Sequence, residues 1–148
     1  MREYPLIFAC RKKNIFNMDI IEVRDYLISL PMCEECQPFG EEFAVYKIGG
    51  RMFACTAFER SGIIALKCDT DRAILLRDRY DAITPAWHFN KKHWNDLNVD
   101  LLEYDVIKRE IRHSYLTVIK KNVTPKSLRD AILSIVSEAG LEDAGCPE

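Results

Sequence analysis

Both tryptophans, two of the three histidines and an adjacent lysine pair fall within residues 84–95, the run Thr84-Pro85-Ala86-Trp87-His88-Phe89-Asn90-Lys91-Lys92-His93-Trp94-Asn95. Cations neutralise phosphates, and flat rings stack on bases or wedge into a groove. Lys91 and Lys92 therefore stand as phosphate contacts, with Arg51, Lys47 and Arg60 adding charge at nearby turns. Trp87, His88 or Phe89 supplies the ring, and Asn90 either bonds a base edge or shapes the turn. Trp94 is assigned to the core as the anchor of the segment. Residue types alone favour a plainer reading, in which the tryptophans are core and the lysines solvate a turn.

Other chemistry has weaker support. Cys33-Glu34-Glu35-Cys36 has the spacing of a redox or zinc pair, but no second such pair follows. The two glutamates raise thiol pKa values and so oppose a reactive thiolate. Six cysteines in a chain without an export signal read as free thiols, with Cys55 and Cys68 acting as small core residues. His88, His93 and Asp96 could ligate a metal, yet alternation along a strand puts His93 and Asp96 on opposite faces. His88 has no visible partner as a general base. A Gly-rich phosphate loop, a Gly-x-Ser-x-Gly elbow and a His-Glu-x-x-His helix are all missing from the sequence. The reading assigns no catalytic residue, metal or cofactor, and expects a binding protein rather than an enzyme.

The 148 residues suit one domain with a real core, and 48% hydrophobic with 30% charged residues is ordinary for a water-soluble chain. No apolar run reaches the length of a membrane span. The first ten residues include Glu3 and Pro5, unlike a signal peptide, so the expected location is cytoplasmic. Net charge is −2, but residues 47–95 carry nine Lys and Arg against five acids. A locally positive region can steer anions even on an acidic protein, although dedicated DNA-binding domains are usually far more basic.

The elements that must position these residues follow from periodicity. A helix is expected over 18–30, with Asp19 and Glu22 as a capping box and Ile20, Val23, Leu27 and Leu30 as its stripe. Strands are expected over 43–48, 51–59 and 63–67, joined by a Gly49-Gly50 hairpin and by a turn at Arg60-Ser61-Gly62. Consecutive turns lie at opposite ends of a meander, so Lys47 and Arg51 are expected far from Arg60. In the return strand, alternation places Phe53, Cys55 and Ala57 on one face and Met52, Ala54 and Phe58 on the other. Both faces are apolar, so one needs helices and the other a segment, a ligand or a second chain; a homodimer is one such cover. A helix over 71–80 turns Arg72, Arg77 and Arg79 to solvent. A strand covers 93–99, and the longest helix covers 101–121, with Tyr104, Ile107, Ile111, Tyr115 and Val118 as its stripe. Its His113 reads as packed or solvated rather than catalytic. A last helix begins with Thr124 as cap and Pro125 at its first position, and packs firmly through Leu128, Ala131, Ile132, Ile135, Val136 and Ala139.

The run from Pro85 to Asn95 resembles the signature of the MmcQ/YjbR-like proteins. Matching pieces come in the same order: Val23-Arg24-Asp25-Tyr26, Ser29-Leu30-Pro31, Pro38-Phe39-Gly40, Tyr46 to Ala54, Leu66-Lys67-Cys68-Asp69 and His113-Ser114-Tyr115. The resemblance covers about residues 18–128. It implies a frataxin-like (CyaY-like) domain, for which a "double wing" DNA-binding role has been proposed. Both routes converge on an α+β two-layer sandwich, an antiparallel sheet with helices mainly on one face. The expected organisation is an extension over 1–17, a single domain over 18–139 and a loose tail over 140–148. Met18 reads as a natural start codon. DNA is the expected partner; the alternative is an anionic or aromatic small molecule that the protein sequesters or transforms.

Overall fold

The computed structural model describes residues 18–141. The expected extension over 1–17, with Cys10, and most of the expected tail, with Cys146, lie outside the described residues. Helix α1 is Ile20–Ser29, followed by strands β1 Glu34–Cys36, β2 Phe43–Ile48, β3 Arg51–Ala57 and β4 Ile63–Lys67. Helix α2 is Thr70–Arg79; β5 Ile83–Pro85 and β6 Trp94–Asn98 follow. A 3-10 turn, Val99–Leu101, leads into α3 Tyr104–Asn122, and α4 is Lys126–Glu138. Among the described residues, six strands form one antiparallel sheet in the order β1-β2-β3-β4-β6-β5. The α+β sandwich is as expected.

Local chemistry explains most boundaries. Asp19 and Glu22 form the reciprocal capping box, with Glu22 N donating to Asp19 Oδ1 at 2.9 Å and Asp19 N to Glu22 Oε1 at 3.3 Å. Gly49 and Gly50 have φ of 57° and 78°, the two positive values a primed hairpin turn requires. Gly49 is also close-packed: a Cβ there would lie 2.9 Å from both γ-carbons of Val123, just past α3. The longest helix starts three residues later than expected, because the 3-10 turn, capped by Asn98 Oδ1 accepting from Asp100 N at 3.1 Å, takes up the approach.

The main core lies between the sheet and the helices, with Val23, Leu27, Ile48, Phe53, Leu66, Leu76, Ile107, Ile111, Tyr115 and Ile119 among its members. The expected alternation of β3 fails at one point. Tyr46 pairs with Ala54 and Lys47 with Met52, so Phe53 is the extra residue of a bulge. Phe53 and Ala54 therefore both enter the helix-side core, while Met52 and Cys55 sit with the opposite face. Phe53 meets the Tyr115 ring edge-on at 5.5 Å, and its carbonyl accepts from Ser114 Oγ at 2.7 Å. Ser114 thus supplies a buried bond where the ladder is interrupted.

Three helix expectations need correction. Arg72 is buried, not solvated: its guanidinium donates twice to Glu110 of α3, at 2.8 Å each, and Arg109 donates to the same carboxylate at 2.7 Å. Pro125 occupies the cap position of α4 rather than its first turn, and the cap has no side-chain hydrogen bond. Within the α4 stripe Ile132 and Val136 are buried, but Leu128 and Ile135 are 36% and 41% exposed and Ala131 and Ala139 are exposed. That helix docks through a narrow seam. His113 is packed, as expected.

Candidate functional site

The face of the sheet away from the helices carries a second apolar cluster: Val45, Cys55, Ala65, Ala86 and Trp94, with Phe43, Met52 and Phe89 packed on it. Its cover is the chain's own 86–93 loop. Phe89 stacks on Trp94 with centroids 4.6 Å apart, which binds the middle of the loop to the strand it leads into. His88 meets Phe43 edge-on at 5.8 Å and lies parallel to Trp87 at 5.7 Å. Trp87 remains 69% exposed and His88 is exposed as well. Trp94 is buried, as assigned.

Hydrogen bonds hold the loop from both sides. Ala86 N donates to Trp94 O at 3.1 Å, and Lys91 Nζ reaches back across the neck to Ala86 O at 2.7 Å. Asn90 shapes the turn: its Oδ1 accepts from Lys92 N at 2.8 Å and its carbonyl from His93 N at 3.1 Å. From the helix side, Arg77 donates through Nε to Asn95 Oδ1 at 2.6 Å and through Nη2 to Lys91 O. From the outer side, the buried Asp96 carboxylate accepts from Trp87 N at 3.2 Å and from Arg60 Nη1 at 2.6 Å. The Arg60 guanidinium in turn sits 5.1 Å from the Trp87 ring centroid. Trp87 is therefore held by a cation over its ring, a second ring alongside and a carboxylate on its main-chain N–H. Burial first, and then Asp96, push the neighbouring Cys55 thiol up to about 11.

The expected residues divide into two groups. Strand register puts the Gly49-Gly50 hairpin and the Lys67–Trp94 end of the β4–β6 pair at the same end of the sheet. Arg51 is there, with Lys91, Lys92 and Asn90, all exposed. Arg51 donates to Thr124 Oγ1 at 3.4 Å. Lys47, half-buried, lies across from Glu34 of β1. Arg60 belongs to the opposite turn, as expected, but meets Asp96 and the Trp87 ring over the outer face. Asp96 faces Arg60, while His93 Nδ1 lies 3.4 Å from Thr70 Oγ1, so the structure keeps the two apart.

Sequence reasoning missed the two clamps, Arg77 and Asp96. The available signal was Asn95-Asp96, adjacent polar residues that alternation sends to opposite faces of the strand. It also gave Glu35 a role only toward the neighbouring thiols. Glu35 accepts from Arg24 at 2.7 and 2.8 Å and from Tyr46 Oη at 2.8 Å, tying β1 to α1. Those Arg24 bonds, with help from Tyr46, hold its carboxyl below the usual range despite partial burial. The Cys33 thiol is pushed up to about 12, chiefly by burial and then by Glu35 and Glu34. No helix among the described residues is long and apolar enough to cross a membrane.

Comparison with known proteins agrees with this architecture. The uncharacterized protein YbdF of Escherichia coli O157:H7 is 45% identical over 69 residues, 45% of this chain and 56% of that protein, so the match spans little more than half of the relative's length. The crystal structure of Deinococcus radiodurans protein DR2400, a DUF419 domain, superposes with a TM-score of 0.72 at 29% identity, over 92% of this chain and 99% of that one. A Pseudomonas syringae protein shares the fold, with a TM-score of 0.57 at 21% identity over 66% of this chain and 96% of its own. The YjbR family profile matches residues 28–117, more than half of the sequence, and the chain belongs to the YjbR family.

Proposed function

We propose that the protein is a cytoplasmic DNA-binding protein, a binding module rather than an enzyme, whose contact surface is the 86–93 loop with the Gly49-Gly50 hairpin beside its cationic end. The observation that carries this reading is Trp87: a tryptophan 69% exposed, yet fixed by Arg60, Asp96 and His88. A large ring held rigid in water offers a stacking or wedging surface at little entropic cost. Lys92 and Arg51 supply phosphate contacts at the hairpin end of the sheet, and Lys91 does so while bracing the loop through Ala86. Arg60 acts through Trp87 rather than on phosphate, and Lys47, opposite Glu34, contributes little. The two hairpin turns lie at opposite ends of the sheet; the first is the wing beside the lysines, and the second meets the loop through Arg60 at Trp87.

Fluorescence anisotropy with duplex DNA across a salt series tests the reading. Lys91→Ala combined with Lys92→Ala should weaken binding and flatten the salt slope by about one to two units. Trp87→Ala should cost roughly 1–3 kcal/mol without changing that slope. Absence of binding at low salt would refute it, and a large thermal shift with an anionic metabolite but none with DNA would favour a small-molecule carrier instead.

A further inference from the structure

A cavity of about 220 Å³ opens at the end of the sheet where β4 runs out, lined by Lys67, Asp69, Thr70, His93, Lys121 and Asn122 among others. Its walls come from β4, the start of α2, the residue before β6 and the last turn of α3. One carboxylate faces it, Asp69, and Lys121 Nζ already holds that group at 2.8 Å. Lys67 is different. It is half-buried, and its amine donates to the neutral Asn122 Oδ1 at 3.1 Å. Arg51, whose charge reaches Lys67, donates likewise to a neutral hydroxyl, Thr124 Oγ1. Among the described residues neither cation meets a carboxylate. Two neighbouring cations, one of them partly desolvated, satisfied by neutral oxygens alone leave a local excess of positive charge that an anion would relieve.

We propose that this cavity is a phosphomonoester site, with Lys67 and Lys121 as its charged ligands, Thr70 and His93 as hydrogen-bonding partners, and Arg51 at its rim. A phosphomonoester fits better than a lone carboxylate because donors converge from four separate elements, matching an anion with several outward-pointing oxygens. Burial first, and Arg51 second, lower the pKa of Lys67, a cost that a bound dianion would reverse. Its ligand is either a free nucleotide-sized phosphate, a case independent of the DNA reading, or the terminal phosphate of a strand reaching the loop at 90–93, a case that rests on that reading.

The test is calorimetric titration of the full chain with inorganic phosphate and with a nucleoside 5′-monophosphate. Saturable binding is expected, weakened roughly tenfold by Lys67→Met. Lys121→Gln, at a side chain 60% exposed, should weaken it similarly and guards against misfolding of the first variant. Lys126→Gln, on the exposed start of α4, should leave it unchanged. A 5′-phosphorylated oligonucleotide binding more tightly than its 5′-hydroxyl counterpart assigns the site to strand ends, and equal binding assigns it to free phosphates. No saturation with either phosphate at low ionic strength, or affinity unchanged in both cavity variants, overturns the proposal.

Discussion

Asp96→Ala is the sharpest probe of how the exposed indole is held. The carboxylate is 4% exposed, and a single oxygen, Oδ2, receives both Arg60 Nη1 at 2.6 Å and Trp87 N at 3.2 Å. A charge-assisted bond of the first kind contributes about 1.5–3 kcal/mol, and a neutral bond of the second about 0.5–1.5 kcal/mol. The Arg60 side chain is 27% exposed, so water recovers part of its loss and the lower half of that range applies. Asp96→Ala should therefore destabilise by about 2–3 kcal/mol, whereas Asp96→Asn, which retains a neutral oxygen, should lose about half of this. Urea unfolding followed by circular dichroism reads the stability, with an expected midpoint shift on the order of 1 M. Amide hydrogen exchange at Trp87 reads the loop separately: it should quicken in the alanine variant and change little in the asparagine variant. A double-mutant cycle with Arg60→Met should return a coupling of about 1 kcal/mol or more. If Asp96→Ala unfolds within about 0.5 kcal/mol of the native chain with Trp87 exchange unaltered, ring packing alone holds the loop and the clamp is idle.

Other measurements address the frame. Glu110→Gln strips the buried Arg72 and Arg109 of their shared carboxylate and should cost about 3–5 kcal/mol in urea unfolding. Burial raises the Glu110 pKa, but bonds and charges from Arg72 and Arg109 outweigh it, so the folded value lies below the ordinary 4.5. Its stabilising share is therefore present above that pH and drains away as pH falls through the folded value, and the glutamine variant should lack this component of acid sensitivity. Gly49→Ala combines a positive φ with contact at 2.9 Å to Val123 and should destabilise by more than about 1 kcal/mol by thermal unfolding. Burial pushes Cys33, Cys55 and Cys68 to about 12, 11 and 12, so alkylation at pH 8 should leave these thiols largely unmodified until the chain unfolds.

Features written in neighbouring residues were legible in the sequence. The Asp19–Glu22 box, the Gly49-Gly50 turn and the α3 stripe each depend on spacing within a few positions. The two strands at the sheet margins were not: β1 and β5 have three residues each, one carrying Glu34-Glu35 and the other ending in Pro85. Such segments become strands through pairing rather than propensity. The bulge at Phe53 was hidden because it belongs to the register between two strands. Arg72 read as a solvated residue because its partner, Glu110, lies 38 positions away. The same limit applied at the site. Exposure of Lys91 and Lys92 could be anticipated from the polar loop tip, but the 69% exposure of Trp87 and the clamps could not, since residue type alone places a tryptophan in the core. Arg60 and Asp96 are 36 residues apart, and Arg77 and Lys91 are 14 apart on separate elements.

The margins of the sheet have a further consequence. A row of unsatisfied amides and carbonyls at an outermost strand invites another chain to add on, and repeated addition grows a fibril. Among the described residues one border is brief and doubly anionic, and the other closes on a residue that has no amide hydrogen to give. Lengthening either border with β-branched residues, or replacing Pro85 with valine, would remove that safeguard and turn a self-limited ribbon into a seed for aggregation.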